Sequence, residues 1–351
     1  MAATRIVYRI FAGSKPKTVV EKIKIPELKD GEILGKILAA TICGSDLHTL
    51  TGKRIEANPS VLGHEGVIEI VENKRGGSLL GKGDRATFHI ADCCKKCILC
   101  KSGVEQKCKK LFKYGHTQIG HRSTELSGCY ASHIILLPGT HVVKLPDNIP
   151  NKIAAPLNCA LATMVNAISY SNPSMKSSAL VQGAGLLGLY GCVLLKEKGF
   201  DKVYCSEVNT ARLSLVEHFG GIPIGPTYPT KLEDESVDLV VEVCGVPSVF
   251  KEGIRVLRPG GVYALVGMVH PNSKLDITAE QIIRKCITIT GVHNYSSKHL
   301  DEAVELLSRT IDKYPFSKLL SPSYALSQFD DAVEEALSQS YLRVVIEAAQ
   351  E

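Results

Sequence analysis

The 351-residue sequence lacks the features that mark several special classes of protein. It has no tryptophan, no internal repeat and no low-complexity tract. Its 41 basic and 36 acidic residues leave a formal net charge of +5, too dilute to indicate a nucleic-acid partner. With 44% hydrophobic and 22% charged residues, the chain is not a long disordered segment. Its length predicts two globular domains.

The sequence also has little that indicates a membrane or a secretory route. Arg5 and Arg9 interrupt the apolar start, so no secretory signal segment follows Met1. Residues 1–20 contain no acid, as in some transit peptides, but residues 6–8 and 18–20 are predicted to pair as hairpin strands. Four glycines break the apolar stretch 179–195, which predicts a buried strand, turn and helix rather than a membrane span. We expect a cytoplasmic protein with no membrane partner.

The hydrophobic pattern changes near residue 160. Before it, short β-branched runs such as 67–71 and 133–137 predict a strand-rich, barrel-like unit. After it, strands and helices alternate, which predicts an α/β doubly wound parallel sheet. The predicted strands are 179–181, 202–206, 237–243 and 261–266, and the predicted helices are 186–198, 210–219 and 247–257. Helices near 298–309 and 328–339 and a strand at 342–346 form a short tail that we expect to fold back on the first unit.

Cysteine is plentiful, and five of the twelve lie within residues 93–108. Four of them have the spacing CxxCxxCxxxxxxxC and can form a closed tetrahedral shell around one structural Zn²⁺: Cys94, Cys97, Cys100 and Cys108. A ferredoxin-type iron–sulfur cluster is disfavoured, because it places the fourth cysteine after three residues and a proline behind it. Cys93 is out of register and is predicted to bind no metal. The surrounding lysines would offset the negative charge of a zinc with four thiolates.

A second motif, GAGLLG at 183–188, directly follows a predicted strand and opens a predicted helix. Its glycines allow a tight turn and close approach of a pyrophosphate to the helix N-terminus. We predict Gly183, Gly185, Leu187 and Gly188 as cofactor-binding residues. Glu207 ends the next strand, where a carboxylate accepts hydrogen bonds from the adenosine ribose and favours NAD over NADP. Arg212 is a further cofactor-binding candidate and keeps NADP open.

A third group is scattered along the chain: CGSDLH at 43–48, GHE at 63–65, and Cys159. Each element alone is ordinary, because a single cysteine or histidine more often belongs to a core. Beside a dinucleotide-binding domain, however, two thiolates and one imidazole would leave a fourth zinc position open to water or substrate. An open position is the mark of a catalytic zinc.

These motifs, with Gly103 in the four-cysteine lobe and LRPGGVYALVG at 257–267, have the order and spacing found in the zinc-containing medium-chain dehydrogenase/reductases. The sequence resembles that family over nearly its whole length. The resemblance implies a GroES-like catalytic domain of residues 1–160 and 297–351 and a Rossmann NAD-binding domain of residues 161–296. The segments KYGH, LSGCYASH and APLNCALAT are most similar to a subgroup of alcohol dehydrogenases associated with phosphonate catabolism. Cys129 departs from the family, whose members usually carry a second glycine there.

The resemblance also implies roles for individual residues. Cys43, His64 and Cys159 would bind the catalytic zinc, and Glu65 would approach the metal or replace a ligand. Asp46 would accept a hydrogen bond from the second nitrogen of His64. Ser45 and His48 match the family's proton relay, in which Ser45 takes the hydroxyl proton, passes it through the nicotinamide ribose, and His48 delivers it to solvent. Two Zn²⁺ per chain, NAD and a homodimer or homotetramer follow as expectations.

The predicted function is reversible hydride transfer from a primary or secondary alcohol to NAD. Lys53 and Arg54 lie close to the proposed metal loop and suggest an anionic alcohol such as a hydroxyalkyl phosphonate, although the simpler interpretation, two solvated loop cations, is favoured. Oxidation of a sorbitol-like polyol is the nearest rival. A zinc- and dinucleotide-binding protein without turnover is the non-enzyme alternative, and retention of the ligand and relay residues argues against it. Zinc-independent enone reduction predicts no such ligand set. His116, His121 and His293 receive no role.

Overall fold

The structure, a computed structural model, describes residues 1–10, 16–170, 176–225 and 231–347. Unit 1 comprises Met1–Cys159, Ser296–Ile311 and Phe316–Glu351, of which residues 348–351 lie outside the described part. Unit 2 comprises Ala160–Tyr295 and Asp312–Pro315. The short segment 312–315 joins unit 2 because Tyr314 stacks on Phe219 at 6.4 Å and donates a hydrogen bond to Glu197. The domain boundaries expected from the sequence placed residues 312–315 with the C-terminal tail, whereas the structure places them in unit 2.

The strands and helices alternate irregularly along unit 1 and regularly along unit 2. The strands are β1 (Ala2–Arg9), β2 (Lys17–Lys24), β3 (Ile33–Ile42), β4 (Ser60–Val61), β5 (Glu65–Asn73), β6 (Arg85–Phe88), β7 (Ala91–Asp92), β8 (Phe112–Lys113), β9 (His133–Leu136), β10 (Val142–Lys144), β11 (Ser178–Gln182), β12 (Lys202–Ser206), β13 (Ile222–Ile224), β14 (Val237–Glu242), β15 (Leu257–Leu265), β16 (Thr288–Gly291), β17 (Leu320–Ala325) and β18 (Arg343–Glu347). The α-helices are α1 (Gly44–Leu50), α2 (Ile98–Lys101), α3 (Asn151–Ala154), α4 (Ala160–Tyr170), α5 (Leu186–Glu197), α6 (Thr210–Leu213), α7 (Val249–Val256), α8 (Ala279–Lys285), α9 (Ser297–Thr310) and α10 (Phe329–Ser338).

Unit 1 is a strand-rich unit with mainly antiparallel pairing. Its largest sheet has the order β10-β6-β5-β3-β18-β17, with β9 also paired to β3, and a second sheet has the order β2-β1-β4. The expected hairpin of β1 and β2 is present, with Val7 opposite Val19. Strand β18 pairs antiparallel with β3, so the C-terminal tail returns to the first unit as expected. Buried aliphatic and aromatic side chains such as Ile68 and Phe88 fill the core between these elements.

Unit 2 is a parallel α/β sheet. Its strand order is β13-β12-β11-β14-β15-β16, and these neighbouring strands all pair in parallel. Strand β11 is buried at every position, as expected for a central strand with both faces covered. From β11 the sheet extends through β12 and β13 on one side and then through β14 to β16 on the other. Such sheets bind dinucleotides at the point where the strand order changes direction. The fold class predicted from the sequence is confirmed.

One predicted helix is broken. The helix expected over 210–219 consists of α6 and a separate 3-10 turn at Val216–Phe219. Between them the Ser214 hydroxyl donates to the Ala211 carbonyl, a local bond that competes with continuation of the helix. No α-helix of the described ranges has the length and apolar character that crossing a bilayer requires.

Candidate metal and dinucleotide sites

Three separate segments of unit 1 bring Cys43, His64, Glu65 and Cys159 together, and we call this group the mixed cluster. Cys43 links β3 to α1, His64 and Glu65 stand at the start of β5, and Cys159 precedes α4. Their ligand atoms all lie within 4.8 Å of one another. The structure therefore gathers the four side chains that the sequence proposed for the catalytic zinc.

Local contacts fix the three segments. Gly63 has a φ of +85°, and a Cβ there would stand 2.7 Å from the Tyr130 ring, so the turn before His64 requires glycine. The Asn158 side-chain amide donates to the carbonyl oxygens of His64 and Phe88, at 3.0 and 2.9 Å. This buried amide holds the turn that carries Cys159 against the strand that carries His64.

Asp46 lies beneath the mixed cluster and is fully buried. Its carboxylate accepts hydrogen bonds from the Cys43 N–H at 3.1 Å and from the Tyr130 hydroxyl at 2.8 Å. The expected contact with His64 is longer: 3.4 Å separates His64 Nδ1 from Asp46 Oδ1, and neither atom makes a hydrogen bond among the described residues. At this separation Asp46 orients the imidazole mainly through its charge.

A buried ion pair adjoins the mixed cluster. Arg343, on β18, donates two hydrogen bonds to the Glu65 carboxylate, at 2.8 and 2.9 Å, and approaches Cys43 Sγ to 3.5 Å. Burial, partly offset by Arg343, raises the pKa of Glu65 to about 7. The guanidinium also favours a thiolate at Cys43.

The titration behaviour of the two thiols suits a metal. A hydrogen bond from Cys159, together with the charges of Arg343 and His64, holds the pKa of Cys43 well below its usual range. The same contact and burial raise the pKa of Cys159. Two thiols, one imidazole and a carboxylate within coordination reach form a donor set that Zn²⁺ prefers, and a cation there would favour the thiolate of Cys159 as well. The residues therefore fit a zinc ion.

The second group, which we call the four-cysteine cluster, is local and partly exposed. Its members, Cys94, Cys97, Cys100 and Cys108, lie with their sulfurs within 4.8 Å of one another. Cys97 Sγ stands 3.5 Å from Cys100 Sγ and 4.0 Å from Cys108 Sγ, close to the roughly 3.8 Å edge of a tetrahedron of sulfurs around zinc. Cys93 is buried and lies outside this set.

Backbone N–H groups point at the sulfurs of the four-cysteine cluster. The amides of Cys94 and Lys110 donate to Cys108 Sγ, both at 3.3 Å, and the Cys97 amide donates to Cys94 Sγ at 3.4 Å. Backbone N–H groups of Lys109 and Cys100 lower the pKa of Cys97 to about 6. These N–H groups favour the thiolate of Cys97, whereas burial raises the pKa of Cys100, so a bound cation would favour ionisation of that thiol.

The glycine motif of unit 2 occupies the turn between β11 and α5. Gly183 has a φ of +111°, and at Gly188 a Cβ would stand 1.8 Å from the Gly183 carbonyl oxygen, so helix and turn can pack only without a side chain. Gly185 precedes the first turn of α5, and Leu187 is half-buried within it. The turn has the geometry by which glycine loops present backbone N–H groups to phosphates.

Glu207 follows β12 and folds back on the glycine motif. Its carboxylate accepts hydrogen bonds from the backbone N–H groups of Ala184 at 2.9 Å, Val208 at 2.7 Å and Asn209 at 2.9 Å. Three of the roughly four acceptor positions of the carboxylate are therefore used, and one remains on Oε2. Arg212 lies half-buried on α6, one helical turn beyond Asn209.

The two relay candidates share one face of α1. Ser45 is half-buried and His48, three residues on, is exposed. Thr49 donates a hydrogen bond to the Ser45 carbonyl oxygen, which secures the short helix. Ser45 thus lies two residues from Cys43, with His48 on the solvent side.

Two family models together match most of the chain. Residues 29–147 match the alcohol dehydrogenase GroES-like domain, and residues 159–347 match the glucose dehydrogenase C-terminus. The chain is 28% identical to an L-threonine 3-dehydrogenase of Pyrococcus furiosus, covering 92% of this chain and 93% of that one. An alcohol dehydrogenase structure from Thermotoga maritima superimposes with a TM-score of 0.90 at 27% identity, covering 99% of this chain and 100% of that one.

The chain belongs to the zinc-containing medium-chain dehydrogenase/reductases. It is an enzyme of the alcohol dehydrogenase type, which disfavours the alternative of a binding protein without turnover. L-Idonate 5-dehydrogenase of Escherichia coli shares the fold, with a TM-score of 0.84 at 22% identity over 99% of this chain and 98% of that one.

This medium-chain dehydrogenase/reductase contains site residues that the sequence did not reveal. Arg343 is one, because it lies far along the chain from Glu65. A second set is His116, whose ring lies 5.0 Å from the His64 ring, and Glu56, which accepts a hydrogen bond from His116 Nδ1 at 3.1 Å. Glu56 is also ion-paired with Arg54, so Arg54 is not a free cation. Lys53 is exposed.

In unit 2, Glu242 was also missed. It ends β14, is fully buried, and accepts hydrogen bonds from the N–H groups of Gly245, Gly267 and Met268. One carboxylate thereby ties together the two loops that follow β14 and β15. A buried acid after a strand could have suggested this role, but only the fold identifies its partners.

Proposed function

We propose that this enzyme oxidises a primary or secondary alcohol reversibly, with NAD as the hydride acceptor, at a zinc held by Cys43, His64 and Cys159. The observation that carries the proposal is the convergence of these donors, from three distant segments, within 4.8 Å of one another. When bound, zinc lowers the pKa of the substrate hydroxyl and polarises the carbonyl in the reverse direction.

The protein side chains have separate tasks in this proposal. Ser45 accepts the proton of the substrate hydroxyl, and His48 releases it to solvent. Asp46 orients His64 through its charge. Glu65, held by Arg343, is the carboxylate that assists exchange at the open position. These are the roles expected from the family resemblance, applied to the buried groups Asp46, His64, Glu65 and Arg343 and to Ser45 and His48 on α1.

We propose a second, structural zinc at the four-cysteine cluster, giving two per chain. The sulfur spacing and the N–H groups aimed at the sulfurs support it. We expect elemental analysis of the purified protein to find two zinc ions per chain.

NAD is the proposed cofactor rather than NADP. Glu207 places a negative charge beside the glycine motif, where it repels a 2′-phosphate, and its remaining acceptor position suits one ribose hydroxyl. If the enzyme prefers NADP to NAD, Arg212 is the residue expected to bind the 2′-phosphate. Glu207→Gln removes this negative charge, so the ratio of kcat/KM with NAD to kcat/KM with NADP is expected to fall.

For the substrate we propose an alcohol with an anionic group, such as a hydroxyalkyl phosphonate. L-Threonine, in the name of a relative, is likewise an alcohol that carries an anionic group. Initial rates with 2-hydroxyethylphosphonate, 1-propanol and sorbitol, each with NAD and with NADP, test substrate and cofactor together. Preference for sorbitol would replace this proposal with a polyol dehydrogenase.

A homodimer or homotetramer is proposed from the family resemblance. Analytical sedimentation of the purified protein tests this oligomeric state.

Ser45→Ala tests the relay. We expect turnover to fall by about 10²- to 10⁴-fold while NADH binding, measured by fluorescence, is retained. Ser338→Ala, at an exposed serine of α10, is the matched control. Turnover of the Ser45 variant at the level of the control would remove the relay from the mechanism.

A further inference from the structure

Lys113 is a half-buried cation near the mixed cluster for which the function proposed above gives no task. It ends β8, opposite Ala91 of β7. Its backbone is fixed by Thr117, whose hydroxyl accepts from the Lys113 N–H at 3.2 Å and donates to its carbonyl oxygen at 2.8 Å. These two hydrogen bonds hold the backbone of Lys113 in the turn that follows β8.

The surroundings of Lys113 connect it to the mixed cluster. Burial first, and then the charge of Arg54, lower the pKa of its ammonium group, while the thiolate of Cys159 and the carboxylate of Glu56 oppose this shift. Glu56 in turn contacts His116, which lies against His64. The backbone makes the same connection: the His116 N–H donates to the Lys113 carbonyl oxygen at 3.3 Å, so the turn that begins at Lys113 carries the ring that lies 5.0 Å from the His64 ring.

The nearby negative charges are already engaged. Glu56 is bound by Arg54 and by His116. The Cys159 thiolate would be neutralised by zinc. Among residues 1–10, 16–170, 176–225 and 231–347, Lys113 has no ion pair and no side-chain hydrogen bond of its ammonium group.

A half-buried ammonium without a partner is unfavourable, and it is retained where a ligand supplies the missing anion. Lysine binds carboxylate, phosphate and phosphonate oxygens as a compact positive charge. The Tyr8 hydroxyl is a second polar group of the same neighbourhood: it is buried without a hydrogen bond in the described ranges, and the charge of Glu56 contributes to raising its pKa.

We propose that Lys113 binds an anionic group of the alcohol substrate, a carboxylate or a phosphonate, and that Lys53 and Arg54 do not. The proposal rests on the proposed alcohol dehydrogenase function and assigns the residue that selects the substrate class. Arg54 instead holds Glu56 in place, and Lys53 remains in solvent.

The test compares Lys113→Met with wild type on two matched pairs of alcohols. One pair is 3-hydroxybutyrate and 2-butanol, and the other is 2-hydroxyethylphosphonate and 1-propanol. We expect the ratio of kcat/KM for the anionic over the neutral member to fall about 10- to 100-fold in the variant, the usual effect of losing one charged hydrogen bond. The pair with the larger fall identifies carboxylate or phosphonate as the natural group.

Two further variants control for charge and for fold. Lys101→Met removes an exposed lysine of the same charge and is expected to keep the wild-type ratio. Lys113→Arg is expected to recover part of the ratio. An unchanged ratio in Lys113→Met, or an equal fall in Lys101→Met, would overturn the proposal.

A binding measurement separates this proposal from the proposed function. Propionate and ethylphosphonate carry the anionic group but no hydroxyl, and calorimetric titration of the zinc-loaded protein reports their binding without turnover. Weaker binding of either anion to Lys113→Met supports the site even if no alcohol is oxidised. Equal binding, or no binding to the wild type, contradicts it even if neutral alcohols are oxidised.

Discussion

The two thiol clusters of unit 1 both bring their ligand atoms within 4.8 Å of one another, but by different means. The four-cysteine cluster is built within residues 94–108, is partly exposed, and is held by backbone N–H groups that point at sulfur. The mixed cluster draws on three distant segments, is largely buried, and includes Glu65, which pairs with the buried Arg343. A closed shell thus needs only a suitable loop, whereas an open one needs the whole fold to position its donors and balance their charges.

The sharpest test of this difference is the replacement of one thiol in the mixed cluster. Cys159→Ser is expected to lower kcat by about 10³-fold or more, because the Lewis acid that supplies several kcal/mol is lost or misplaced. Zinc content should fall from two per chain towards one, and the unfolding midpoint should change little. Cys286→Ser, at an exposed cysteine, is the control. Loss of stability without loss of activity would show that the two clusters had been assigned the wrong way round.

The next largest effect concerns the charges around the mixed cluster. Arg343→Met leaves the buried Glu65 carboxylate without its partner, and we expect a loss of about 3 to 5 kcal/mol in the free energy of unfolding. Adding Glu65→Gln to this variant should restore much of the lost free energy of unfolding, because the uncompensated negative charge is then absent. Urea denaturation of the two single variants and the double variant measures the coupling.

An exposed ion pair provides the comparison for Arg343. Arg284 pairs with Glu280 on α8, and its side chain is 80% exposed, so Arg284→Met should cost less than about 1 kcal/mol. Equal losses in Arg343→Met and Arg284→Met would mean that burial of the charge has no part in the mixed cluster.

In the four-cysteine cluster the corresponding change is Cys108→Ser. We expect zinc content to fall to one per chain and the free energy of unfolding to fall by about 3 to 4 kcal/mol, as when a ligand present at 100 to 1,000 times its Kd is lost. NADH binding, a property of the motif in unit 2, should persist. Two zinc ions per chain in this variant would contradict a four-sulfur shell.

The sequence predicted the features that are local along the chain. Spacing alone indicated the four-cysteine cluster, and a strand followed by glycines and a helix indicated the dinucleotide motif. The mixed cluster required the family resemblance, because no local pattern joins Cys43 to Cys159. Arg343, Glu56 and His116 were not found, since each acts through a partner distant in sequence or on another segment.

Charge was the property that the sequence predicted least well. Arg54 looked like a free cation near the metal loop, but Glu56, two residues later, neutralises it. Glu207 was predicted to face a ribose, yet most of its acceptor positions serve backbone N–H groups. Whether a charge is free depends on which side chains the fold brings beside it, and composition does not contain that information.

A pH dependence tests the support of the four-cysteine cluster. Glu105 accepts hydrogen bonds from the N–H and hydroxyl of Ser297, and the Ser296 hydroxyl donates to Gln106, so the start of α9 docks on the lobe that carries the cluster. His299 stands in the first turn of α9 and accepts from the Ser296 N–H at 3.1 Å. Burial, and then the charge of Lys298, lower the pKa of His299 to about 4.

The folded-state pKa of His299 therefore lies below the ordinary value of 6.5, and the folded protein binds the proton less well than the unfolded chain. Its contribution to stability is complete above pH 6.5 and is lost, by about 1.4 kcal/mol per pH unit, as the pH falls towards 4. His299→Asn keeps an acceptor but does not titrate, so its free energy of unfolding should fall less steeply in this window, whereas the exposed His218→Asn should follow the wild type. Parallel curves for wild type and His299→Asn would exclude His299 as the cause.

Glu105 titrates in a different pH range. Lys95 and Ser297 lower the pKa of Glu105 to about 2 despite its burial, so its contribution to stability is lost only below its ordinary value of 4.5. The effects of His299 and Glu105 can therefore be separated by pH.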